Sequence, residues 1–152
     1  MTATITTLNN HEVDAFRELL SLFRDVFAED EEDEAVLPVP EDDYLATVLA
    51  DPDFVAVIAR TESGMVMGGL TLRFWRSYSQ QGDECYLYDL AVHGAHRRQG
   101  VAARLVEHAI ALAKARNAVA MWVQAEAGDE DAVGFYRSLQ HSELDVSHFE
   151  LL

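Results

Sequence analysis

One stretch constrains the chain more than any other. Tyr86-Leu-Tyr-Asp-Leu-Ala-Val92 alternates as a strand, a short basic turn follows, and an alanine-rich amphipathic segment runs from Gly100 to about Arg116. A strand that feeds through a tight turn into a helix fixes the local topology, because the helix must pack back onto the sheet that holds the strand. The turn itself, Arg97-Arg98-Gln99-Gly100-Val101-Ala102, has the spacing Arg-x-x-Gly-x-Ala. The first N–H groups of a helix have no carbonyl partner, and together with the helix dipole they attract an anion. Gly100 has no side chain to block the approach, and Arg97 or Arg98 can add a guanidinium. These residues imply a pyrophosphate-sized ligand held over 97–103, with main-chain donors from Val101, Ala102 and Ala103. A P-loop would end in Gly-Lys-Ser/Thr and a dinucleotide fingerprint would read G-x-G-x-x-G; the turn is neither.

The rest of the chain alternates strand and helix signals. Residues 2–8 read as a short strand, and Asn9 with Glu12 forms a capping-box-like pair ahead of a helix over about 10–27, with Val13, Phe16, Leu19 or Leu20, Phe23 and Val26 at helical spacing. Glu29 to Glu34 and Glu41 to Asp43 place nine acids within fifteen residues around Pro38 and Pro40. Such a block repels itself and stays out of a core, so it is expected to form an acidic flap beside a site. A short helix over about 42–50 ends at Asp51-Pro52. Strands are expected at 54–59 and 65–75, as a hairpin about Glu62-Ser-Gly64, and Gly68-Gly69 permits a bulge or a close backbone approach. Strand 84–92, helix 100–116, an apolar parallel strand at 118–123, a helix over 130–139 capped by Asp129, and a closing strand at 145–151 complete the order. That order, β-α-α-β-β-β-α-β-α-β, predicts an α/β or α+β fold with a mixed, mostly antiparallel sheet and helices on both faces.

Composition excludes several function classes. At 152 residues, 49 % of them hydrophobic, the chain can bury a core as one domain, alone or as a homodimer. Its net charge of −16, with Lys114 the one lysine, argues against nucleic acid or an anionic membrane as partner and favours a cationic one. The lack of a transmembrane-length run or a signal-like start implies a cytoplasmic location. The lone Cys85 and the lack of Cys/His ligand spacings imply no structural metal, and Cys85 reads as strand packing.

Leu-x-Val followed by Arg-Arg-x-Gly-x-Ala resembles the acetyl-CoA motif of the GNAT acyltransferase superfamily, and the element order matches that fold from end to end. Residues 86–92, 96–100, 122–129, 132–136 and 148–150 further resemble the aminoglycoside 3-N-acetyltransferases of GNAT type, the gentamicin- and fortimicin-modifying resistance enzymes. Leu139-Gln140 stands where GNAT proteins commonly have Leu-Gly. The resemblance implies acetyl-CoA as donor and an amine of the 2-deoxystreptamine ring of a cationic aminoglycoside as acceptor. It also implies that main-chain groups of Leu90, Ala91 and Val92 pair with the pantetheine amides, that the turn from Arg97 to Ala103 holds the pyrophosphate, and that Tyr136 is the acid for the departing thiolate.

Asp89 is the leading carboxylate for the incoming ammonium, although simple alternation sets it opposite Tyr86 and Tyr88, so it reaches a cleft on their side only if a bulge re-aims the strand. Glu126 and Asp129 lie where strand 118–123 leaves the sheet, and with Glu150 on the closing strand they are candidate acceptor contacts. His93 and His96 read as surface residues. Two other readings fit the same fold: acetylation of a polyamine or a protein N-terminus, and a non-catalytic acyl-CoA-binding module, which would need neither Tyr136 nor acidic acceptor contacts.

The charge argument carries its own test. Raising salt from 0.1 M to 1 M shortens the Debye length from about 10 Å to about 3 Å. KM for a polycationic acceptor should therefore rise several-fold in steady-state assays, while an uncharged amine analogue responds little.

Overall fold

The computed structural model describes residues 2–28, 37–139 and 142–152. Five strands, β1 (Thr4–Thr7), β2 (Phe54–Arg60), β3 (Val66–Arg76), β4 (Asp83–Val92) and β5 (Ala118–Val123), form one sheet in sequential order. All pairs are antiparallel except β4 with β5, which is parallel. The helices are α1 (Val13–Ala28), α2 (Asp42–Ala50), α3 (Val101–Ala115) and α4 (Glu130–Ser138), with a 3₁₀ turn at Gly94–His96 before α3. This is the mixed sheet with helices on both faces that the element order predicts. No helix among the described residues is long and apolar enough to cross a membrane.

Strict alternation along β2 builds two cores. Val57 and Ala59 join Leu70, Leu72, Phe74, Cys85 and Leu87 beneath Val101, Leu105, Val106, Ala109 and Ala113 of α3. Ala56 and Ile58 face the other way, against Phe16, Leu19, Leu22 and Phe23 of α1 and Leu45 of α2. Such period-two switching is what a sheet buried on both faces requires. Cys85 is fully buried and its thiol is pushed up to about 11 by that burial, so it packs and does not react.

The ends of the elements are fixed by the side chains the sequence singles out. Asn9 and Glu12 cap α1: the Asn9 N–H donates to Glu12 Oε2 at 2.8 Å, and the His11 N–H donates to Asn9 Oδ1 at 2.9 Å. At the opposite end of the sheet, Arg116, just past α3, donates to the Pro52 carbonyl at 2.7 Å and to Asp53 Oδ1 at 2.6 Å. Its guanidinium also reaches Asp83 Oδ2 at 3.4 Å and lies 4.0 Å from the centroid of the Phe74 ring. One side chain thus ties the start of β2, the start of β4 and the end of α3 together.

Both uses expected for Gly68-Gly69 are present. Gly68 pairs with Ala59 while Val66 pairs with Arg60, which leaves Met67 as the extra residue of a bulge. At Gly69 the helix α1 approaches so closely that a Cβ would lie 2.5 Å from Leu19 Cδ1 and 2.5 Å from the Val57 carbonyl oxygen.

The expected closing strand over 145–151 is overturned: residues 142–152 form no strand and are exposed throughout. Their apolar residues change face partway, with Leu144 and Val146 on one parity and Phe149 and Leu151 on the other, so a strand here would have no wholly apolar side and no preferred register. Of the acidic flap expected over 29–43, residues 29–36 lie outside the described residues; Glu41 stands at the N-cap of α2, and Asp42 and Asp43 open the helix.

Gly69→Ala should destabilise the fold by about 1–3 kcal/mol, because one of the two clashing atoms is backbone and cannot rotate away. Urea denaturation would show it as a lower midpoint at unchanged slope.

Candidate active site

The anion turn forms as its residues demand. Gly100 takes φ +76° and Arg98 φ +63°, two left-handed residues that swing the chain from the 3₁₀ turn into α3. A Cβ built on Gly100 meets nothing within 4 Å, so the space beside it is open to a ligand. The Arg104 N–H closes the first turn on the Gly100 carbonyl at 3.1 Å, which leaves the N–H groups of Val101, Ala102 and Ala103 without an intrahelical acceptor. Two side chains of the turn are used inside it: Arg97 Nε donates to the Val92 carbonyl at 3.1 Å, and Gln99 Nε2 donates to the Ala95 carbonyl at 3.3 Å. Arg98 is exposed beside the turn, where its guanidinium can reach an anion held there.

Ahead of this turn the sheet splits. The pairing of β4 with β5 ends at Leu87 with Val123, whereas β4 runs on to Val92. Over Tyr88–Val92 the side of β4 away from β3 has no strand partner among the described residues. Ala91 and Val92 are buried and Leu90 packs against the α3 core, so a ligand in the gap meets this stretch through its main chain. Unpaired strand N–H and C=O groups beside an open helix N-terminus suit a ligand with an amide arm and a pyrophosphate, so the residues present fit acetyl-CoA.

The bulge that Asp89 needs is present. Thr71 pairs with Asp89 and the next residue, Leu72, pairs with Leu87, so Tyr88 is the extra residue of β4. Leu87 lies in the α3 core, Ala91 in the α1 core, and Leu90 against the α3 core. Without the bulge Asp89 would share the face of Leu87. With it, Asp89 shares the face of Tyr86 and Ala91. Tyr88 is turned out, 63 % exposed. Burial raises the pKa of the Asp89 carboxyl.

Tyr136 enters the same neighbourhood from α4. Its hydroxyl is pushed up to about 12, first by burial and then by the charges of Asp129, Asp89 and Tyr86. Tyr86 is raised as well, by burial and then by Tyr88 and Asp89. The phenol of Tyr136 therefore stays neutral and keeps its proton through the whole physiological range. Its neighbour Phe135 packs against the α3 core, which fixes the helix while Tyr136 faces the site.

The remaining candidates separate. Asp129 caps α4, its Oδ1 accepting the Ala132 N–H at 2.9 Å, and its charge also acts on Tyr136. Glu126 is exposed in the loop between β5 and α4. Glu150 is exposed on the segment that forms no strand, so the placement expected of it on a closing strand does not occur. Among the described residues no group of three or more His, Cys, Asp or Glu side chains could hold a metal.

One feature of the site is not legible in the sequence. Trp75, Tyr86 and Trp122, from three strands, form an aromatic cluster on the Asp89 face, with the Tyr86 and Trp122 rings stacked at 4.3 Å. Only the register of β3, β4 and β5 brings them together.

This geometry has relatives. The family model described as "Acetyltransferase (GNAT) family" matches residues 14–140. The chain belongs to the GNAT family of acetyltransferases. Among solved structures, this GNAT chain is similar to the aminoglycoside acetyltransferase meta-AAC0020 from an uncultured soil metagenomic sample, solved in complex with trehalose. The two share 28 % identity at a TM-score of 0.92, over 99 % of this chain and 95 % of the other. A second aminoglycoside acetyltransferase, HMB0005, also from an uncultured soil metagenomic sample, is 31 % identical at a TM-score of 0.87, over 100 % and 99 % of the two chains. The ribosomal protein bS18-alanine N-acetyltransferase of Escherichia coli K12 is 31 % identical over 64 residues, which are 42 % of this chain and 43 % of the relative. The chain thus spans less than half the length of the curated relatives it matches.

The half-buried Asp89 carboxyl of this GNAT domain gives a signed prediction. Burial favours the neutral acid, so the folded pKa lies above the unfolded value of about 3.9 and the group weakens the fold as pH rises through that interval. Asp89→Asn should therefore raise Tm at pH 7, and the gain should shrink toward pH 3, where the wild-type carboxyl is largely protonated in both states. The same variant should lose acetyl-transfer activity, a trade of function for stability that calorimetry and kinetics measure together.

Proposed function

We propose that this chain transfers the acetyl group of acetyl-CoA to the 3-amino group of the 2-deoxystreptamine ring of an aminoglycoside, which would confer resistance to the drug. The observation that carries the reading is the bulge at Tyr88. It turns a half-buried carboxylate, Asp89, toward a protonated Tyr136 beside the unpaired end of β4. The likeness to two aminoglycoside acetyltransferases over nearly the whole chain supports the acceptor class, and the acidity of the chain suits a polycation.

The main chain of Leu90, Ala91 and Val92 would hold the pantetheine arm, and the N–H groups of Val101, Ala102 and Ala103, with Arg98, the pyrophosphate. Bound there, acetyl-CoA supplies an acetyl group already activated as a thioester. Asp89 takes a proton from the incoming ammonium, directly or through water, so that a neutral amine attacks the carbonyl carbon. A main-chain N–H of the 90–92 stretch stabilises the developing oxyanion. As the C–N bond forms and the C–S bond breaks, the Tyr136 hydroxyl donates a hydrogen bond to the departing sulfur, and the second proton lost by the nitrogen passes through solvent to complete the thiol. With its pKa at about 12, above the roughly 8.5 of a thiol, Tyr136 gives up its proton only as solvent replaces it. Its main contribution is thus a hydrogen bond to the nascent thiolate.

A peptide N-terminus is the second acceptor to test, because the matching Escherichia coli enzyme acetylates a ribosomal protein alanine. A thiol-release assay with acetyl-CoA against an aminoglycoside panel and an alanine-starting peptide separates them. Turnover of 2-deoxystreptamine drugs, with the 3-N product identified by NMR, is expected. Turnover of the peptide alone would overturn the assignment.

Tyr136→Phe keeps the ring packed and removes the hydroxyl. It should lower kcat on the order of 10²-fold with folding and acetyl-CoA affinity nearly intact. Single-turnover measurement avoids masking by product release; a rate equal to wild type would leave Tyr136 a packing residue.

A further inference from the structure

On the face of the sheet that carries Asp89, α1 and α2 cover Ala56, Ile58, Val66 and Ala91. Toward β5 the cover gives way to exposed aromatic rings. Trp75 lies opposite Glu84, Tyr86 lies beside Trp122, and the two indoles remain 38 % and 40 % exposed. These rings are held in place. The Tyr86 and Trp122 rings stack at 30°, and Trp75 meets Trp122 at 75° with centroids 5.6 Å apart. Trp75 Nε1 donates to Glu84 Oε2 at 3.0 Å, and the Tyr86 hydroxyl donates to Gln124 Oε1 at 3.3 Å. The one cation of that row, Arg73, is drawn aside by Asp51 at 2.7 Å and by the Phe54 ring. The result is an aromatic ledge with the Glu84 carboxylate at one end, beside Trp75, and Asp89 further along the same strand, its charge felt by Tyr86.

We propose that this Trp75–Tyr86–Trp122 ledge is the subsite for a second, glycosidically linked amino-sugar ring of the acceptor, while the ring to be acetylated lies at Asp89. The proposal rests on the acetyltransferase reading above and extends it to the part of the acceptor that does not react. Ring C–H groups beside an ammonium carry partial positive charge and pack on the electronegative faces of aromatic rings. Glu84 and Asp89 are five residues apart on one strand, roughly 14–16 Å. A single-ring amine cannot meet both carboxylates, and a chain of linked, ammonium-bearing rings can. The charge of the ledge's surroundings suits this occupant better than a second, equally acidic copy of the chain.

Trp75 and Trp122 are the chain's two tryptophans, so intrinsic fluorescence reports the ledge directly. Titration with gentamicin should change the emission saturably, whereas one-ring 2-deoxystreptamine should not. Trp75→Leu and Trp122→Leu, each checked for an unchanged far-UV spectrum, should lower the ratio of kcat/KM for gentamicin over that for 2-deoxystreptamine about tenfold. Acetylation of gentamicin with silent emission and an unchanged ratio would overturn the ledge and leave the acetyltransferase reading standing. Saturable emission change without acetylation would keep the ledge and remove that reading. Emission that shifts with protein concentration alone would assign the ledge to a second copy and overturn the proposal.

Discussion

One inserted residue in β4, Tyr88, organises the candidate site. A strand has a strict two-residue period, so a single extra position reverses which side chains face which core. Up to Leu87, β4 gives its odd-numbered residues to α3; past Tyr88, it gives the even-numbered ones, Leu90 and Val92. The switch sends the Asp89 carboxyl to a face where alternation would have put the Tyr88 phenol. It also coincides with the point where β5 stops pairing. A bulge increases local twist and bends its strand, and a parallel neighbour without a matching insertion cannot follow. The reversal of face and the separation of the strands are thus two expressions of the same insertion.

Much of this was readable in the sequence, and what was not has a common cause. Helix signals depend on neighbours three or four residues apart, so α1 with its Asn9 and Glu12 cap, and α4 with Asp129, fall where the residues place them. The strand-to-helix turn is local too, and its left-handed residues sit at and beside Gly100. Asp89 could be stated only conditionally, since a bulge is a property of two paired strands. The aromatic ledge was hidden for the same reason: residues 75, 86 and 122 are neighbours only through register. The tail misled by its local composition. Its polar and apolar residues alternate in short runs, but the apolar ones change parity between Val146 and Phe149, and no strand forms.

The site works against the fold that holds it. Asp89 and Tyr136 both have pKa values raised by burial, which means that the charged form of each is disfavoured where it stands. For the phenol this costs nothing at neutral pH, because the protonated form is the useful one. For the carboxyl it is a standing penalty, and the same penalty makes it a stronger base. The surrounding structure offsets it with two cores on opposite faces of the sheet, one centred on Leu105 and one on Leu19, each fully buried.

Arg116 adds a mechanical side to this arrangement. By joining the two residues just before β2 and the first residue of β4 to the end of α3, it clamps the sheet at the end farthest from the anion turn. A parallel pair fastened at one end and parted at the other behaves as a wedge of fixed angle. Its opening is set when the chain folds, before any ligand arrives. A ligand arm entering the wedge would meet a gap already formed between β4 and β5, so less of its binding free energy would go into parting the strands.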